Sequence, residues 1–233
     1  ELPAYQAPAE PEAPAFPEAK AEPSGTLSLA HALGKALAGS PVLAAFSWEV
    51  RARDAEILQA GAFPNPEFAA EVEDFGGSGE RSGVDGSQTT LSFAQLVELG
   101  GKRAKRMRVA SLERDLAGWD YEAARLSVLT DTTKTFVATL ALQERVRLAG
   151  ELHTVASKSL RSVEAAVRAG ATSPVEASRA AVAVEQAAIA QARLESEFDA
   201  VRAALAASWG ARSAEFDSVA GDLSKTSPPP AFD

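Results

Sequence analysis

Apolar residues recur every seven positions near the start of the patterned part of the chain: Leu29, Ala36, Leu43, Val50 and Ile57. That period marks the buried seam of a helix laid against other helices. Gly39-Ser40-Pro41 interrupts it. A C-terminal glycine, an N-cap serine and a proline at the first helical position predict two helices here, about 27–38 and 41–62. Phe63-Pro64-Asn65-Pro66 stops the second, because each proline disfavours helical backbone in the residue before it.

The period then falls to two. Over a strand predicted at 67–75, Phe68, Ala70 and Val72 share one side and Glu67, Ala69, Glu71 and Glu73 the other. After the Gly/Ser-rich stretch 76–87, a second strand is predicted at 88–99. It places Thr89, Leu91, Phe93, Val97 and Leu99 opposite Thr90, Ser92, Ala94 and Glu98. The two form a hairpin with a long loop, and residues 66 and 100 are equidistant from its centre at 83. Gly100-Gly101 supplies the backbone freedom to leave the strand for a helix.

From Lys102 to Ala169 no proline intervenes, and Leu112, Leu116, Trp119, Ala123 and Leu126 follow the 4,3,4,3 spacing of a coiled-coil seam. A helix over 102–169 spans on the order of 100 Å. It ends at "RAGATSPVEA", where Gly170 suits the residue after the helix and Ser173, Pro174 and Glu176 suit N-cap, N1 and N3. These residues predict a capping box that starts an antiparallel helix over about 174–209, with Leu194, Phe198, Val201 and Leu205 as its late seam. The returning helix and the 41–62 helix, roughly 54 Å and 33 Å long, nearly match the long one when laid end to end beside it. The expected fold is therefore mainly α with a β-hairpin: an antiparallel coiled-coil rod with two strands at one end and a helical turn at the other.

Two isolated strands bury too little to be stable, and their edges are unpaired. Strands of this length, apolar on one face and small or acidic on the other, have the dimensions of transmembrane β-barrel segments. The alternative is an amphipathic hairpin packed on a soluble core, which a rod of helices does not provide.

Composition narrows the function. The 233 residues carry a net charge of −9, which argues against nucleic acid as the main partner despite five cations within seven residues: Lys102, Arg103, Lys105, Arg106 and Arg108. There is no cysteine, so thiolate chemistry and disulfides are excluded. Residues 1–25 read as a flexible Pro/Ala/Glu-rich leader and 223–233 as an irregular tail. His31 and His153 stand apart without acidic companions, so no metal site is expected. The Thr130–Thr135 patch reads as solvent-facing or tunnel-lining, and no nucleophile–base pairing suggests an enzyme or a cofactor.

Three stretches carry a resemblance: "AGAFPNPEFAAEVEDFGG", "SFAQLVELGGKRAKRMRVAS" and "VRAGATSPVEASRA". Their order and spacing resemble the TolC-like outer membrane efflux proteins, most closely the cobalt–zinc–cadmium (heavy-metal) subfamily, over roughly 26–222. The resemblance implies a passive channel in the outer membrane of a Gram-negative bacterium, with a large periplasmic portion. In such proteins two repeats per protomer and three protomers build a twelve-stranded barrel continuous with a helical tunnel. A periplasmic adaptor docks on the helical tips, and an inner-membrane resistance-nodulation-division pump supplies the energy. Only the first repeat is recognisable here, half of a TolC-like protomer, so the expectation is a fragment or truncated product. The family's N-terminal lipidated cysteine has no counterpart.

By the same resemblance Arg168, Gly170, Ser173, Pro174 and Glu176 form the adaptor-contacting tip. Pro64, Asn65, Pro66, Gly100, Gly101 and the five cations mark the membrane–periplasm junction. There the cations would meet outer membrane lipid phosphate, or a strand-end carboxylate such as Glu98 or Glu67, offsetting their unfavourable place at a helix N-terminus. Glu67, Glu71, Glu73 and Glu98 would face the barrel lumen. The competing functions are a soluble periplasmic adaptor and a structural coiled-coil protein.

Overall fold

The structure is a computed structural model that describes residues 24–73, 79, 87–223 and 225. Nearly all of the expected leader, most of the hairpin loop and most of the tail lie outside the described residues. The element order is β1 (Gly25–Leu27), α1 (Leu29–Gly39), α2 (Pro41–Gly61), β2 (Glu67–Glu73), β3 (Gln88–Ala94), α3 (Lys102–Arg168), α4 (Pro174–Ala207) and β4 (Phe216–Val219). The chain divides into two compact units, one of residues 1–44 and 124–233, the other of residues 45–123.

The first unit contains a small sheet that hydrophobic periodicity does not announce. β1 and β4 pair in parallel, with Thr26 opposite Ser218 and Leu27 opposite Val219. Three and four residues are too few to display an alternating pattern, so neither strand stands out in the sequence. Leu27, Phe216 and Val219 drop into a core with Ala32, Phe136, Leu140, Leu205, Ala206 and Trp209. The Trp209 and Phe216 rings pack tilted, 6.2 Å between centroids. Gln143 of α3 serves as a substitute strand edge for β4: its amide nitrogen donates to the Val219 carbonyl at 3.1 Å, and its oxygen accepts from the Val219 N–H at 2.8 Å.

This sheet shifts the helix start. Because residue 27 is in β1, α1 begins at Leu29, and Ser28 caps it by accepting from the His31 N–H at 3.3 Å. Gly39 is the last residue of α1 and does not adopt the left-handed conformation of a terminal glycine. Its requirement is close approach: a Cβ there would lie 2.7 Å from the Trp209 carbonyl oxygen. The left-handed glycine is Gly210, with φ 81°, after α4 has closed through i to i+3 bonds from Ser208, Trp209 and Gly210.

The seven-residue repeat is the inward face of α1 and α2, since Ala36 and Leu43 are buried and Leu29, Val50 and Ile57 half-buried. The late seam of α4 also faces inward, with Leu205 buried and Leu194, Phe198 and Val201 half-buried. The early seam of α3 does not. Leu112, Leu116, Trp119, Ala123 and Leu126 are all exposed, Trp119 by 74%, while Ala110 and Ala117 on another face are buried. Alanines one heptad apart let helices approach closely, so the bulky seam is left without a partner among the described residues. Thr132, in the patch expected to face solvent or line a tunnel, is 1% exposed, whereas Thr133 and Thr135 bond back to the carbonyls of Leu129 and Asp131.

In the second unit β2 and β3 pair antiparallel from Glu67 opposite Ala94 to Glu73 opposite Gln88, a register centred between 80 and 81 rather than on 83. Each described strand is seven residues, shorter than 67–75 and 88–99. Residues 74 and 75 lie outside the described set, and residues 95–99 have no partner strand because Pro66 and Pro64 lack the N–H that would extend β2 backwards.

The two glycines of α1 make a contrast that tests this packing. Gly39→Ala is expected to destabilise the fold by about 1–3 kcal/mol, since the obstructing atom is backbone. Gly34→Ala, with nothing within 4 Å of its Cβ, is expected to stabilise it by up to about 1 kcal/mol. Denaturant titration of the two variants in detergent solution measures both.

Candidate functional site

The hairpin is two-faced by register as well as by sequence. Phe68 lies opposite Phe93, Ala70 opposite Leu91 and Val72 opposite Thr89, which gathers the apolar side chains of both strands on one side. Glu67, Glu71 and Glu73 lie opposite Ala94, Thr90 and Gln88 on the other. Every residue of both strands is exposed, with Phe68 and Phe93 each 70% accessible. The ribbon thus has an apolar face and an acidic face, neither covered by the described residues.

Below it the backbone is forced to change direction twice. Pro64 and Pro66 bracket Asn65 on the way out of α2, and Gln95 donates to the Pro64 carbonyl at 2.9 Å, joining the two strand ends where backbone pairing stops. Gly100 and Gly101 both have φ 70°, a conformation that costs residues with a Cβ roughly 1–2 kcal/mol. Directly after them Lys105 N–H bonds to the Gly101 carbonyl at 3.1 Å as α3 begins.

The basic cluster at that helix start finds partners in three different ways. Arg106 forms an ion pair with Glu98 and donates to the Ala60 carbonyl at 3.3 Å, tying the strand exit, α2 and α3 together. Arg103 stacks over the Phe63 ring at 4.4 Å. Lys102, Lys105 and Arg108 have no ion-pair partner among the described residues. Deeper along the helices Arg114 pairs with Asp54 at 3.0 Å.

Glu98 therefore differs from the other three glutamates. It lies four residues beyond β3, its side chain is 12% exposed, and it turns to Arg106 instead of projecting from the polar face of the strand pair. The hydrogen bond from Arg106 holds its carboxyl below the usual carboxylate range against the opposing effect of burial, with Lys102 and Arg103 adding to the depression. Glu67, which sequence reasoning also offered as a partner, makes no ion pair among the described residues. Phe63, Gln95, Met107 and Asp54 were not singled out in the sequence. A Cβ on Gly61 would touch the Met107 sulfur at 3.3 Å, and contacts of this kind carry no local signature.

The helical turn after Arg168 belongs to the first unit. Gly170 has φ 72°, its N–H bonds to the Val167 carbonyl, and Ala171 N–H bonds to Ala166, a complete Schellman closure. Ser173 accepts from Val175 N–H at 3.3 Å with Pro174 at N1. The expected capping box is only half formed, because the Glu176 carboxylate pairs with Arg179 at 3.2 Å instead of reaching back. Arg168, Gly170, Ser173, Pro174 and Glu176 are all exposed. Among the described residues no group of three or more metal-ligating side chains comes together.

Comparison with known proteins adds to this geometry. A family described as "Outer membrane efflux protein" matches residues 32–211. The chain is 32% identical over 203 residues to the cobalt-zinc-cadmium resistance protein CzcC of Cupriavidus metallidurans, covering 86% of this chain and 46% of that protein. It is 28% identical over 182 residues to the nickel-cobalt-cadmium resistance protein NccC of Alcaligenes xylosoxydans xylosoxydans, covering 78% and 41%. Among solved structures CusC superposes with a TM-score of 0.67 at 15% identity, covering 98% of this chain and 56% of the other. The chain thus spans less than half the length of the curated relatives it matches.

The Glu98–Arg106 pair makes a prediction with a definite sign. Because the folded-state pKa of Glu98 is depressed, the pair's contribution is complete at neutral pH and fades as pH falls below the ordinary carboxylate range toward the depressed value. Thermal midpoints measured against pH should drop more steeply in acid for the parent chain than for Glu98→Gln. Arg106→Gln and the double variant should show non-additive losses at pH 7.

Proposed function

The chain belongs to the outer membrane efflux protein family, and from that premise we propose that it supplies one hairpin of a transmembrane β-barrel and one helical repeat of the adjoining periplasmic conduit. The observation that carries this reading is the register of β2 on β3, which sorts Phe68, Phe93, Leu91 and Val72 to one face and Glu67, Glu71 and Glu73 to the other. In a barrel the first face meets lipid and the second the water-filled lumen, and closure with other strands satisfies the edges that the isolated ribbon leaves open. The unpartnered seam from Leu112 to Leu126 fits the same assembly, since helices of neighbouring repeats would bury it.

In this reading the chain is passive. It self-associates, as a trimer where two repeats are present in one protomer, and the exposed turn around Gly170, Ser173 and Pro174 meets a periplasmic adaptor linked to an inner-membrane pump. Heavy-metal cations are the proposed cargo, a choice supported by the resistance named for the two curated relatives. The acidic lumen face suits cations without binding them tightly. A soluble adaptor or a structural coiled coil would have no use for a hairpin whose apolar face is left open.

Single charges test the assignment of faces. Leu91→Arg is expected to cost about 2–4 kcal/mol of membrane-inserted stability and to abolish recovery of the exported chain from the outer membrane fraction. Ser92→Arg, on the acidic face, should leave recovery unchanged. Equal tolerance of both, or recovery of the parent chain only as a soluble periplasmic protein, would overturn the reading.

A further inference from the structure

The helix pair of the second unit has two uncovered flanks. On α3 Ala110 and Ala117 are buried, and Trp119 follows Ala117 by two residues, about 200° around the helix. It shares the side away from those alanines with Leu112, Leu116 and Ala123, all exposed. On α2 Val50 and Ile57 are half-buried, and Trp48, two residues before Val50, shares the far side with Ala45, Ala52 and Ala55, all exposed. One flank is thus built mostly from bulky groups and the other from alanines around a single tryptophan. Small residues leave the grooves into which the large ones of a facing helix fit.

The two flanks also match in level. Arg114 pairs with Asp54 at 3.0 Å, and a Cβ on Gly61 would lie 3.3 Å from the Met107 sulfur, so each step back along α2 is one step forward along α3. Ala52 is therefore level with Leu116, Ala55 with the residue after Leu112, and Trp48 with the residue after Trp119. A copy placed alongside in the same orientation presents its leucines at the heights where this chain has alanines. Charge follows the same match. Arg51 stacks over the Trp48 ring at 4.7 Å, and neither it nor Asp120, next to Trp119, forms an ion pair among the described residues. The two lie within one helical turn of each other in level.

We propose that the α3 flank of one chain seats on the α2 flank of a second copy, head to tail, with Leu116 over Ala52, Leu112 over Ala55, Trp119 beside Trp48 and Asp120 facing Arg51. This contact gives the self-association proposed above its partner surface, and it rests on that reading. Because the two surfaces differ, the contact repeats from copy to copy instead of stopping at a dimer, and a rotation about an axis along the helices closes it into a ring. The alternative is a two-fold contact of seam on seam. With its axis across the helices it points the two hairpins in opposite directions, which one membrane does not accommodate. With its axis along them it leaves the α2 flank uncovered and Arg51 without a carboxylate.

The chain has no cysteine, so introduced ones report without background. Ala52→Cys and Leu116→Cys, both at exposed positions, are made singly, together in one chain, and as two co-expressed single variants, each in the full chain in detergent solution. A short bismaleimide is then added. The expected result is a ladder extending beyond dimer from the double variant, dimer from the co-expressed pair, and no cross-linked product from either single variant alone. Dimer from Leu116→Cys alone would mean seam on seam and overturn the proposal, as would no cross-linking in the double variant and the pair. A charge exchange leaves the cross-linking positions untouched: Asp120→Arg should weaken self-association about two- to fivefold by sedimentation, and adding Arg51→Glu should restore it. No restoration would overturn the contact between Asp120 and Arg51. Outer membrane recovery is scored separately. Insertion without cross-linking sinks this interface and leaves the channel reading, and cross-linking without insertion does the reverse.

Discussion

Everything in the second unit depends on backbone that cannot be helical at two places. Pro64 and Pro66 deny α2 a continuation, and Gly100 and Gly101, both at φ 70°, turn the returning chain into α3. Between them the strands keep like faces together, and a slip of one residue would move Phe93 to the acidic side. The same two breaks bring Ala60, Glu98 and Arg106 within reach of one another.

A second constraint is how the helices use side-chain size. Ala110 and Ala117 face inward while Leu112, Leu116 and Trp119 face outward. Large apolar groups placed outward on a long helix, together with an uncovered apolar strand face, describe a chain that finishes burying its surface only in an assembly or a membrane. The compact packing lies elsewhere, around Phe216 and Trp209 in the first unit, where β1 and β4 pair and Gln143 closes the sheet edge.

The basic cluster shows how charge is arranged at such a junction. Five cations at a helix N-terminus oppose the helix dipole, and the first turn contains no acid to offset them. Compensation comes from outside the helix: a carboxylate four residues beyond a strand, a carbonyl at the end of α2, and the Phe63 ring just before the prolines. The charges are divided between internal contacts that hold the junction together and lysines that form no ion pair among the described residues.

Much of this architecture was legible because it rests on local rules. Pro-Asn-Pro, Gly-Gly and Gly-Ala-Thr-Ser-Pro mark where α2 stops, α3 starts and α4 starts, and the alternation over 67–73 and 88–94 matches the pairs of the hairpin, whereas the second strand stops at Ala94 and not at 99. What tertiary structure alone decided involves contacts between residues far apart in the chain. The pairing of β1 with β4, 192 residues apart at Thr26 and Ser218, leaves no trace in either short segment. Gly39 looks like a terminating glycine, yet its reason is the Trp209 carbonyl. The seam at Leu112 has the spacing of a buried face, but periodicity reports only that a face is apolar, not what covers it. The sequence by itself thus determined where the backbone must bend and which side chains share a face. The tertiary structure decided which of those faces its own chain covers, because burial depends on what approaches through space and not on spacing along one element.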